Sequence, residues 1–527
     1  MWVAVILVVV SSCLIYYFAT KKSKSVWKKN GVHQVSGGGF MDQFLVFIGK
    51  KTMMDIDDVK YNMLEKSGEK YCGFVDLVGN CLLVKDLEIL KKILIKDFDY
   101  FVDRRPFFSG TREPLMQKML FSLLGDEWKG VRTSLTPTFT TGKIRRMMSS
   151  FNQVGHTWVK HFNKKIDESS SSSAKINIQK ETIHYTVDVI ASSVFGMNAG
   201  TIDDPKSVFA RMTLRLQELS MWKLVKFGIS MNFPWLTDFL RLEIVDNQAM
   251  VFFRDLMVQG LSSRMSGESK RNDFIQLIAE ARRGELKDDD ELNDFEKDAQ
   301  IKGGPGTKKN YLNDDILAQA QLIGFFFAGF STTSNVIAWA AYVLAVHQDV
   351  QEKLRKELDE KLFKDTKNDD IDYDQLNEHV YLDMFLSEVL RKYPPLGRLE
   401  RMCAKDYHDP ETGLKISKGS VVVIPVQGIH NDTRYYEHPD KFYPEHFTPE
   451  KKSERNSYTY LPFGHGPRNC IGMRFALVEV KSAIAHLVKN FKVEPTEKTP
   501  IPMKERPVGL GVQIPDNLEL KISRRNK

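Results

Sequence analysis

A stretch of 33 residues without a charged side chain, from 316 to 348, constrains the fold of this chain more than any other feature. Its length could span a membrane, but polar residues fill positions 331 to 335 and neither flank is basic, as the cytosolic boundary of a span is. A helix that is apolar on most faces can instead run through the core of a large protein. With Asp314 as its N-cap, such a helix would be about 50 Å long at about 1.5 Å per residue. The sequence therefore predicts a core helix that crosses a whole domain.

The remaining pattern is mainly helical, with a few short strands and two exposed loops. Charged and apolar residues alternate at helical spacing in two segments, the second of which stops at a Pro-Pro pair that cannot continue a helix. The predicted helices cover 352–362, 379–393 and 475–490. Short apolar runs bounded by Gly and Pro predict strands near 82–84, 421–426 and 518–522. The predicted loops are the serine-rich 169–173 and the charged, Gly-rich 283–310.

Length, charge and cysteine content limit the class of protein. The 527 residues contain no Pro- or Gly-rich linker between separate patterns and no internal repeat, which favours one large catalytic unit after a short anchor. Lysines between 21 and 29 supply most of the net charge of +7, so the rest of the chain is nearly balanced, which argues against nucleic acid as a partner. The five cysteines are few, unpatterned and odd in number, as in reduced cytosolic proteins.

Residues 1–20 contain no charged side chain and are long enough to span a bilayer as a helix. Trp2 lies at one end of this stretch and Tyr16 and Tyr17 near the other, and aromatic side chains of this kind are common at membrane interfaces. Because lysines follow directly, the positive-inside rule places the next part of the chain in the cytosol. A cleaved signal peptide, the alternative, would have a basic residue before the apolar run and a small-x-small site after it, and neither is evident. We therefore expect a transmembrane signal-anchor at 1–20 and one domain at 21–527.

A tight loop at 463–472, with the sequence Phe-Gly-His-Gly-Pro-Arg-Asn-Cys-Ile-Gly, surrounds Cys470. Because the loop precedes a predicted helix, backbone N–H groups and the positive end of the helix dipole lie near the sulfur and favour the thiolate. With small neighbours at Gly466 and Gly472, such a thiolate could approach a flat ligand face-on, as axial ligation of haem iron requires. The alternative is an inert buried cysteine.

Five positions of this loop resemble the haem-binding signature of the cytochrome P-450 superfamily: Phe463, Gly466, Arg468, Cys470 and Gly472. The resemblance covers nearly the whole chain, and segments 101–106 and 399–403 resemble its animal microsomal, drug- and steroid-oxidising, 3A-like branch. It implies a mostly α fold with a small β region towards the N-terminal side, one catalytic domain, and haem b as the cofactor, with Cys470 as the axial ligand of the iron.

Glu388 and Arg391 share one helix face and, as an isolated pair, would be an ordinary surface ion pair worth under about 1 kcal/mol. Their place about eighty residues before Cys470 resembles the family's Glu-x-x-Arg helix, which a Pro-Glu-Arg-Phe turn completes. Here 444–447 reads Pro-Glu-His-Phe, so His446 replaces the arginine and is expected to give Glu388 a weaker, pH-sensitive contact. The resemblance implies a structural role beneath the haem.

Trp128 and Arg132 lie one turn apart on a predicted helix face, a spacing that also suits an aromatic anchor of an amphipathic helix. In the resembled family both approach a haem propionate, which a guanidinium can pair bidentately. Arg468 matches another propionate-binding position, and Arg104 and Arg401 are further candidates from the branch-specific segments.

The sequence Ala328-Gly329-Phe330-Ser331-Thr332-Thr333 resembles the oxygen-binding groove of the family's central helix. Ala328 and Gly329 would leave room for the cofactor, and Thr332 would hold dioxygen and relay protons to it, whereas hydrogen bonding back to its own helix is the simpler alternative for the threonine. The family usually has an acid where this chain has Ser331, which can carry a proton through water but brings no charge. We therefore expect slower O–O cleavage, leakage to peroxide, or another acid in its place.

The activity implied by the resemblance is NADPH-dependent monooxygenation of a lipophilic substrate, such as a xenobiotic, steroid or fatty-acid-like molecule, with Cys470 promoting heterolysis of dioxygen. The chain has no Gly-x-Gly-x-x-Gly or flavin motif, so we expect electrons from NADPH–cytochrome P-450 reductase, with cytochrome b5 as a further donor, at the endoplasmic reticulum membrane. Candidate contacts for the reductase are Lys129, Lys143, Arg145 and Arg146. The alternatives are a reductase-independent isomerase or dehydratase acting on a peroxide, which Ser331 admits, and a non-catalytic haem-binding protein.

Two further segments bear on membrane association. Residues 213–240 are rich in Met and aromatic side chains with Lys223 and Lys226 among them, which suits either ordinary core or a surface in the headgroup region. In the resembled family this part of the chain borders the membrane, so we expect a second membrane contact here. The family's Pro-rich hinge is missing at 31–39, so the domain is expected to be less firmly oriented on the membrane.

Overall fold

The computed structural model describes most of the chain from residue 26 onwards. The described residues are 26–35, 42, 45–46, 50–76, 79–106, 113–218, 222–223, 226, 229–230, 234–268, 270–286, 297–301, 310–362, 370–503, 506–508 and 511–525. The expected anchor at 1–20 lies outside them, as do parts of the predicted loop at 283–310.

Helices make up most of the described chain. They are α1 (Met53–Ser67), α2 (Leu87–Lys91), α3 (Pro114–Lys118), α4 (Gly125–Leu135), α5 (Thr141–Arg146), α6 (Met148–Asp167), α7 (Ile178–Phe195), α8 (Val208–Gln217), α9 (Pro234–Phe239), α10 (Asn247–Met265), α11 (Phe274–Arg283), α12 (Asp315–Val346), α13 (Gln348–Lys361), α14 (Tyr373–Asn377), α15 (Val380–Lys392), α16 (Val426–His430), α17 (Pro449–Glu454) and α18 (Met473–Asn490). The three predicted helices correspond to α13, α15 and α18, and α15 ends two residues before the Pro-Pro pair, as predicted.

The strands form small sheets at the edge of the helical body. They are β1 (Tyr71–Asp76), β2 (Gly79–Val84), β3 (Ser173–Asn177), β4 (Leu399–Met402), β5 (Tyr407–His408), β6 (Lys415–Ile416), β7 (Val421–Ile424), β8 (Phe491–Pro495), β9 (Arg506–Val508), β10 (Gly511–Gln513) and β11 (Glu519–Arg524). The largest sheet has the order β1-β2-β7-β4, with β2 and β7 parallel, and a second has the order β3-β11-β8. The prediction of a β region towards the N-terminal side is therefore only half right, because β4 and β7 come from the C-terminal third, where β7 pairs with β2 of the N-terminal hairpin and β4 pairs with β7.

The core is organised around α12. Its N-cap Asp314 accepts a hydrogen bond from the Leu317 N–H at 3.0 Å, as predicted. Among the described helices α12 is the one long and apolar enough to cross a membrane, yet most of it is buried inside the domain. The Phe326 ring, for example, packs against phenylalanine rings from α7, α8 and α10 at centroid distances of 5.3, 5.8 and 4.6 Å. The predicted core helix is confirmed.

The first described residues are docked on the largest sheet. Trp27 is fully buried, and a Cβ at Gly73 would lie 2.6 Å from its ring, so glycine is needed for this close approach. The Gly73 N–H donates to the His33 carbonyl at 2.8 Å, and the Gly73 carbonyl accepts from the Val35 N–H at 3.0 Å. The segment that lacks the Pro-rich hinge is thus held to the domain as far as residue 35 by backbone pairing with β1.

Candidate active site

A cavity of about 380 Å³ lies between α12 and the loop that precedes α18. Its wall brings together most of the predicted site residues: Arg104, Trp128, Arg132, Ala328, Gly329, Thr332, Phe463, Arg468, Cys470 and Gly472. Of the residues predicted to contact the cofactor or oxygen, three do not line it: Gly466, Arg401 and Ser331. Arg401 lies behind the wall, where it donates to the His465 carbonyl at 3.4 Å.

Backbone geometry holds Cys470 at the cavity wall. Its N–H donates to the Phe463 carbonyl at 2.8 Å and closes the loop, and Gly464 supplies a left-handed residue with a φ of 72°. Among the described cysteines Cys470 is the exposed one, because its side chain opens into the cavity, whereas the other three are buried. The alternative of an inert, packed cysteine does not fit this position.

The expectation that the loop by itself favours a thiolate needs correction. Burial raises the pKa of the Cys470 thiol, and this effect exceeds the lowering by the Gly472 N–H and by the charges of Arg132 and Arg104. The loop's contributions act in the predicted direction but are outweighed by desolvation. A metal ion on the sulfur reverses this balance, because a coordinating thiol is deprotonated.

The two glycines that flank Cys470 have different roles. Gly466 has a φ of 76°, and a Cβ there would lie 2.1 Å from the Leu94 carbonyl oxygen, so this glycine fits the loop against the chain after α2 and does not make room for a flat ligand. Gly472 does line the cavity, where a Cβ would be in ordinary contact with Phe139 at 3.8 Å. The predicted reason for Gly466, room for a flat ligand beside Cys470, is therefore wrong.

Four guanidinium groups crowd one edge of the cavity: those of Arg104, Arg132, Arg401 and Arg468. Burial lowers the pKa of all four, to about 10 for Arg132, and repulsion between neighbouring guanidinium groups adds to this for the last three. Among the described residues one carboxylate, Asp103, lies within salt-bridge distance, 3.8 Å from Arg468. The Nε atoms of Arg401 and Arg468 have no hydrogen-bond partner in the described chain. This excess of buried positive charge fits a ligand with carboxylate groups, as haem has.

The arginine cluster is joined to the cysteine loop. Arg104 donates to the Arg468 carbonyl at 2.7 Å, and Arg132 donates to the backbone and side-chain oxygens of Asn469 at 3.0 and 2.6 Å. The Arg468 guanidinium lies 4.6 Å from the centre of the Trp128 ring. One connected set of contacts therefore holds both the arginine edge of the cavity and the loop that carries the Cys470 sulfur. Sequence reasoning missed Asn469, whose backbone and side-chain oxygens accept the hydrogen bonds from Arg132.

Thr332 and Ser331 face different surroundings. Thr332 lines the cavity, and its hydroxyl donates to the Ala328 carbonyl at 2.7 Å, so the predicted back-bonding and a place at the wall occur together. The Ser331 hydroxyl lies instead 3.4 Å from the Gln217 amide nitrogen of α8, away from the cavity. The expectation that Ser331 takes part in the chemistry is not supported by its position.

Gly329 is at the cavity wall for a packing reason that the sequence did not show. A Cβ there would lie 2.7 Å from Ile190 of α7, so the glycine lets α7 and α12 approach closely. Its carbonyl accepts from the Thr333 hydroxyl at 2.5 Å, and Thr333 belongs to the wall as well.

Glu388 and Arg391 are not the surface ion pair that their spacing alone suggests, because both side chains are fully buried. The guanidinium donates two hydrogen bonds to the carboxylate, at 2.8 and 2.7 Å, and others to three backbone carbonyls between residues 430 and 441. Burial raises the pKa of Glu388, but the bonds from Arg391 and His446 outweigh it and hold that pKa below its usual value. The pair ties α15 to the segment that precedes the cysteine loop.

His446 completes this cluster. Its Nδ1 lies 3.1 Å from a Glu388 carboxylate oxygen, and its Nε2 lies 2.6 Å from the Glu437 carbonyl oxygen. Both partners are hydrogen-bond acceptors, so each contact requires a proton on the ring nitrogen that makes it. His446 thus contacts Glu388 at the position where the family has a guanidinium.

An aromatic part of the wall had no signal in the sequence. The rings of Phe139, Phe274 and Phe325 pack against one another at centroid distances of 4.7 to 5.3 Å, and all three line the cavity. They come from three separate segments, so only the tertiary structure brings them together.

Comparison with known proteins agrees with this site. The family model described as Cytochrome P450 matches residues 54–522. Cytochrome P450 9e2 of Blattella germanica is 35% identical over 477 residues, which cover 88% of this chain and 87% of the relative. Cytochrome P450 6j1 of the same organism is 33% identical over 527 residues, covering 99% and 98%. Cytochrome P450 6a2 of Drosophila melanogaster is 32% identical over 521 residues, covering 98% and 99%. These names include no 3A-like protein, so that finer resemblance stays a prediction.

The family match takes in the cavity, the cysteine loop and the buried Glu388–Arg391 pair. It confirms the predicted fold, mostly helical with small sheets, and haem b as the cofactor, which the excess of buried arginine charge independently fits. The non-catalytic alternative and the isomerase alternative give way to the activity of the family. The chain belongs to the cytochrome P450 family and is a haem-thiolate monooxygenase.

Proposed function

We propose that this monooxygenase acts on a lipophilic substrate, a xenobiotic, steroid or fatty-acid-like molecule, with electrons from NADPH delivered by a flavoprotein reductase. One observation carries the substrate class: outside the arginine edge, none of the described residues that line the cavity is charged. Phe121, Val194, Phe325 and Leu396 are typical of the remaining wall. Such a wall binds its ligand through apolar contact and selects against charged molecules.

The proposed site residues have three roles: a cysteine binds the iron, arginines bind the carboxylate groups of the cofactor, and a threonine hydroxyl serves the oxygen site. Cys470 would hold the haem iron through its sulfur, and the haem, when bound, would supply oxygen activation. Arg104, Arg132 and Arg468 would hold its carboxylate groups, with the Trp128 ring packed against Arg468. Arg401 lies behind the cavity wall, so it would add positive charge near the cofactor without contacting it. The support for this division is the common cavity that these side chains line or adjoin.

Thr332 is the alcohol of the oxygen site. The Thr332 hydroxyl donates its proton to the Ala328 carbonyl oxygen, 2.7 Å away. The lone pairs of the hydroxyl oxygen therefore remain available to accept a hydrogen bond from the cavity. Rotation of the hydroxyl away from Ala328 would let it donate instead. Thr332 can therefore hold a proton in either direction, as a relay requires.

The protein is membrane-bound in this proposal, through the anchor at 1–20 and a second contact within 213–240, with the catalytic domain on the cytosolic side of the endoplasmic reticulum. The support for the second contact is exposure: Trp222, Trp235 and Phe239 are 69%, 67% and 78% exposed. Exposed aromatic side chains near Lys223 and Lys226 suit a headgroup region better than a core. Phe227 and Met231, also predicted here, lie outside the described side chains.

The basic residues on α4 and α5 are the proposed contact for the reductase and for cytochrome b5. Lys129 pairs with Asp99 at 2.8 Å and Arg145 with Asp374 at 2.5 Å, whereas no ion pair within the described chain involves Lys143 or Arg146. Exposed pairs of this kind are worth at most about 1 kcal/mol, so an acidic partner surface can replace them.

The test is reconstitution of the full-length protein in vesicles with purified reductase and NADPH, after a spectral binding screen of steroids, fatty acids and xenobiotics. We expect dioxygen consumption in step with substrate oxidation, and none when the reductase is left out. Product formed from a peroxide substrate without reductase or NADPH would contradict the proposal and favour the isomerase or dehydratase alternative.

A further inference from the structure

A buried amide of the central helix holds one segment of the cavity wall. Gln321 of α12 is buried and lines the cavity. Its Nε2 donates to the Lys118 carbonyl at 2.7 Å and to the Leu317 carbonyl at 3.0 Å, and its Oε1 accepts from the Leu120 N–H at 2.8 Å. The side-chain amide therefore binds residues 118–120 as a neighbouring strand would, through one carbonyl and one N–H group.

These bonds satisfy backbone groups at a helix end. The helix α3 ends at Lys118, and Met119 after it is extended, with a ψ of 144°, so the carbonyls of the last turn need partners outside the helix. Gln321 supplies such a partner. Gly324, one turn further along α12, adds to the fit, because a Cβ there would lie 3.2 Å from the Met119 Cγ atom. The end of α3 is thus packed closely against α12 as well as bonded to it.

A second contact holds the other end of this segment. The Leu123 carbonyl accepts from the Arg468 guanidinium at 2.6 Å. Residues 118–123, which we call the wall segment, are therefore bonded to α12 at one end and to the arginine edge of the cavity at the other. Leu120 and Phe121 lie between these two contacts, and both line the cavity. Their distance from a bound molecule depends on both contacts.

We propose that Gln321 is a positioning residue for substrate specificity: it holds the wall segment on α12 and so sets the space that Leu120 and Phe121 leave for the substrate. The inference rests on the proposed lipophilic substrate, because apolar contact is what these two side chains offer. Arg468, at the other end, is also proposed to hold the cofactor, so the wall segment has a fixed place relative to the cofactor. A substrate too bulky for this space binds only if the wall segment moves, which breaks the bonds of Gln321.

The first test measures the hold of Gln321 on the wall segment without a ligand. In Gln321→Leu the Leu120 N–H loses its acceptor. Hydrogen–deuterium exchange in peptides that cover 118–123 of the haem-loaded protein should therefore speed up about three- to tenfold, the effect of losing one hydrogen bond.

The matched control is Gln351→Leu. Gln351 of α13 is as buried as Gln321, and its amide likewise bonds the N–H and the carbonyl of one segment, those of Val493. It does not line the cavity. Exchange at 118–123 should be unchanged in this variant, whereas exchange at Val493 should speed up.

The second test measures the space that the wall segment leaves. The probes are imidazole, N-phenylimidazole and N-biphenylylimidazole, neutral ligands of increasing length that bind haem iron, and difference absorbance follows them without reductase or NADPH. In the wild type, N-phenylimidazole should bind at least about tenfold more tightly than imidazole, because it buries more apolar area. The ratio of the biphenylyl to the phenyl affinity should rise at least about threefold in Gln321→Leu, because the wall segment yields. It should not change in Gln351→Leu.

The outcomes separate this inference from the proposed function. A wild-type protein that binds the aromatic probes no better than imidazole would contradict the lipophilic substrate. Where that preference is present, a ratio that Gln321→Leu leaves unchanged or lowers overturns the role of Gln321 alone. Equal changes of the ratio in Gln321→Leu and Gln351→Leu would show a general loss of stability and overturn it too.

A milder variant serves if Gln321→Leu does not bind haem. In Gln321→Asn the amide is one CH₂ group shorter, so it cannot reach both the Lys118 carbonyl and the Leu120 N–H. Faster exchange at 118–123 and a higher ratio of biphenylyl to phenyl affinity are expected here as well. Absence of either change would overturn the proposal.

Discussion

The sulfur side and the oxygen side of the cavity are built differently. On the sulfur side, Glu388, Arg391 and His446 form a fully buried set of charges in which each partner is satisfied by another part of the chain. On the oxygen side, the hydroxyls of Thr332 and Thr333 bond mainly to carbonyls of their own helix. Changes on the sulfur side should therefore damage the fold, whereas changes on the oxygen side should alter the chemistry and leave the fold intact.

The largest effect is expected from Glu388→Ala. It leaves the Arg391 guanidinium buried without its carboxylate, a change that costs about 3–5 kcal/mol. We expect loss of haem incorporation and a lower urea midpoint, measured by haem content and chemical unfolding. The matched control is His446→Arg, which restores the family's usual residue type and should keep both properties. A stable, haem-loaded Glu388→Ala protein would show that the two sides do not differ as described.

Arg132→Leu should have opposite effects on the haem-free and haem-bound forms. Removing one of four crowded cations relieves repulsion, so the haem-free protein should lose little stability. The loss of a charge-assisted contact to a propionate, worth about 1.5–3 kcal/mol, should speed haem release roughly 10- to 100-fold. Haem transfer to a scavenger protein measures the second effect and denaturant unfolding the first. Equal destabilisation of both forms would mean that Arg132 is a structural residue only.

On the oxygen side, Thr332→Ala should leave the unfolding midpoint nearly unchanged and release more peroxide per NADPH. Ser331→Ala should leave both quantities unchanged, because the Ser331 hydroxyl lies beside the Gln217 amide and away from the cavity. The two variants differ from wild type at adjacent positions of α12, so they serve as controls for each other. Unchanged coupling in Thr332→Ala would remove this residue from the oxygen site.

The pH dependence of stability offers a smaller effect. The folded-state pKa of Glu479 is raised by burial, so between the unfolded value of about 4.3 and the folded one the native state binds the extra proton. Stability should therefore fall as pH rises through this window, by at most about 1.4 kcal/mol per pH unit. Glu479→Gln should flatten the curve there. The same slope in both proteins would contradict a neutral, buried Glu479.

The smallest effect concerns neither side of the cavity. In protein without residues 1–20, the double substitution Trp222→Asp with Trp235→Asp should weaken binding to anionic vesicles several-fold, because it removes two exposed aromatic side chains that would lie in the headgroup region. The spectrum of the haem should not change. Equal vesicle binding by the two truncated proteins would contradict the second membrane contact.

Local signals predicted much of the fold. The Asp314 cap, the uncharged α12 and the Pro-Pro stop after α15 each depend on neighbours within a few residues, and each was predicted correctly. The pairing of β2 with β7 joins segments more than 300 residues apart, so no local pattern could give it.

The site shows the same limit. The types of residue at Cys470 and Thr332 pointed to their chemistry, but the reason for Gly466 is a carbonyl at Leu94, far away in the sequence. Glu479 is a further example: an acidic residue on an amphipathic helix is expected at the surface, yet Glu479 is fully buried because of how α18 packs in the domain.

The central claim is that the sulfur of Cys470 faces the haem iron across this cavity. Its most direct test is the absorption spectrum of the reduced, carbon-monoxide-bound protein, recorded for wild type, Cys470→Ala and Cys403→Ala. Cys403 is a buried cysteine whose pKa burial raises to about 12, so it is the matched control. We expect the thiolate-haem band in wild type and in Cys403→Ala, and its complete loss in Cys470→Ala. Persistence of that band in Cys470→Ala would contradict the assignment.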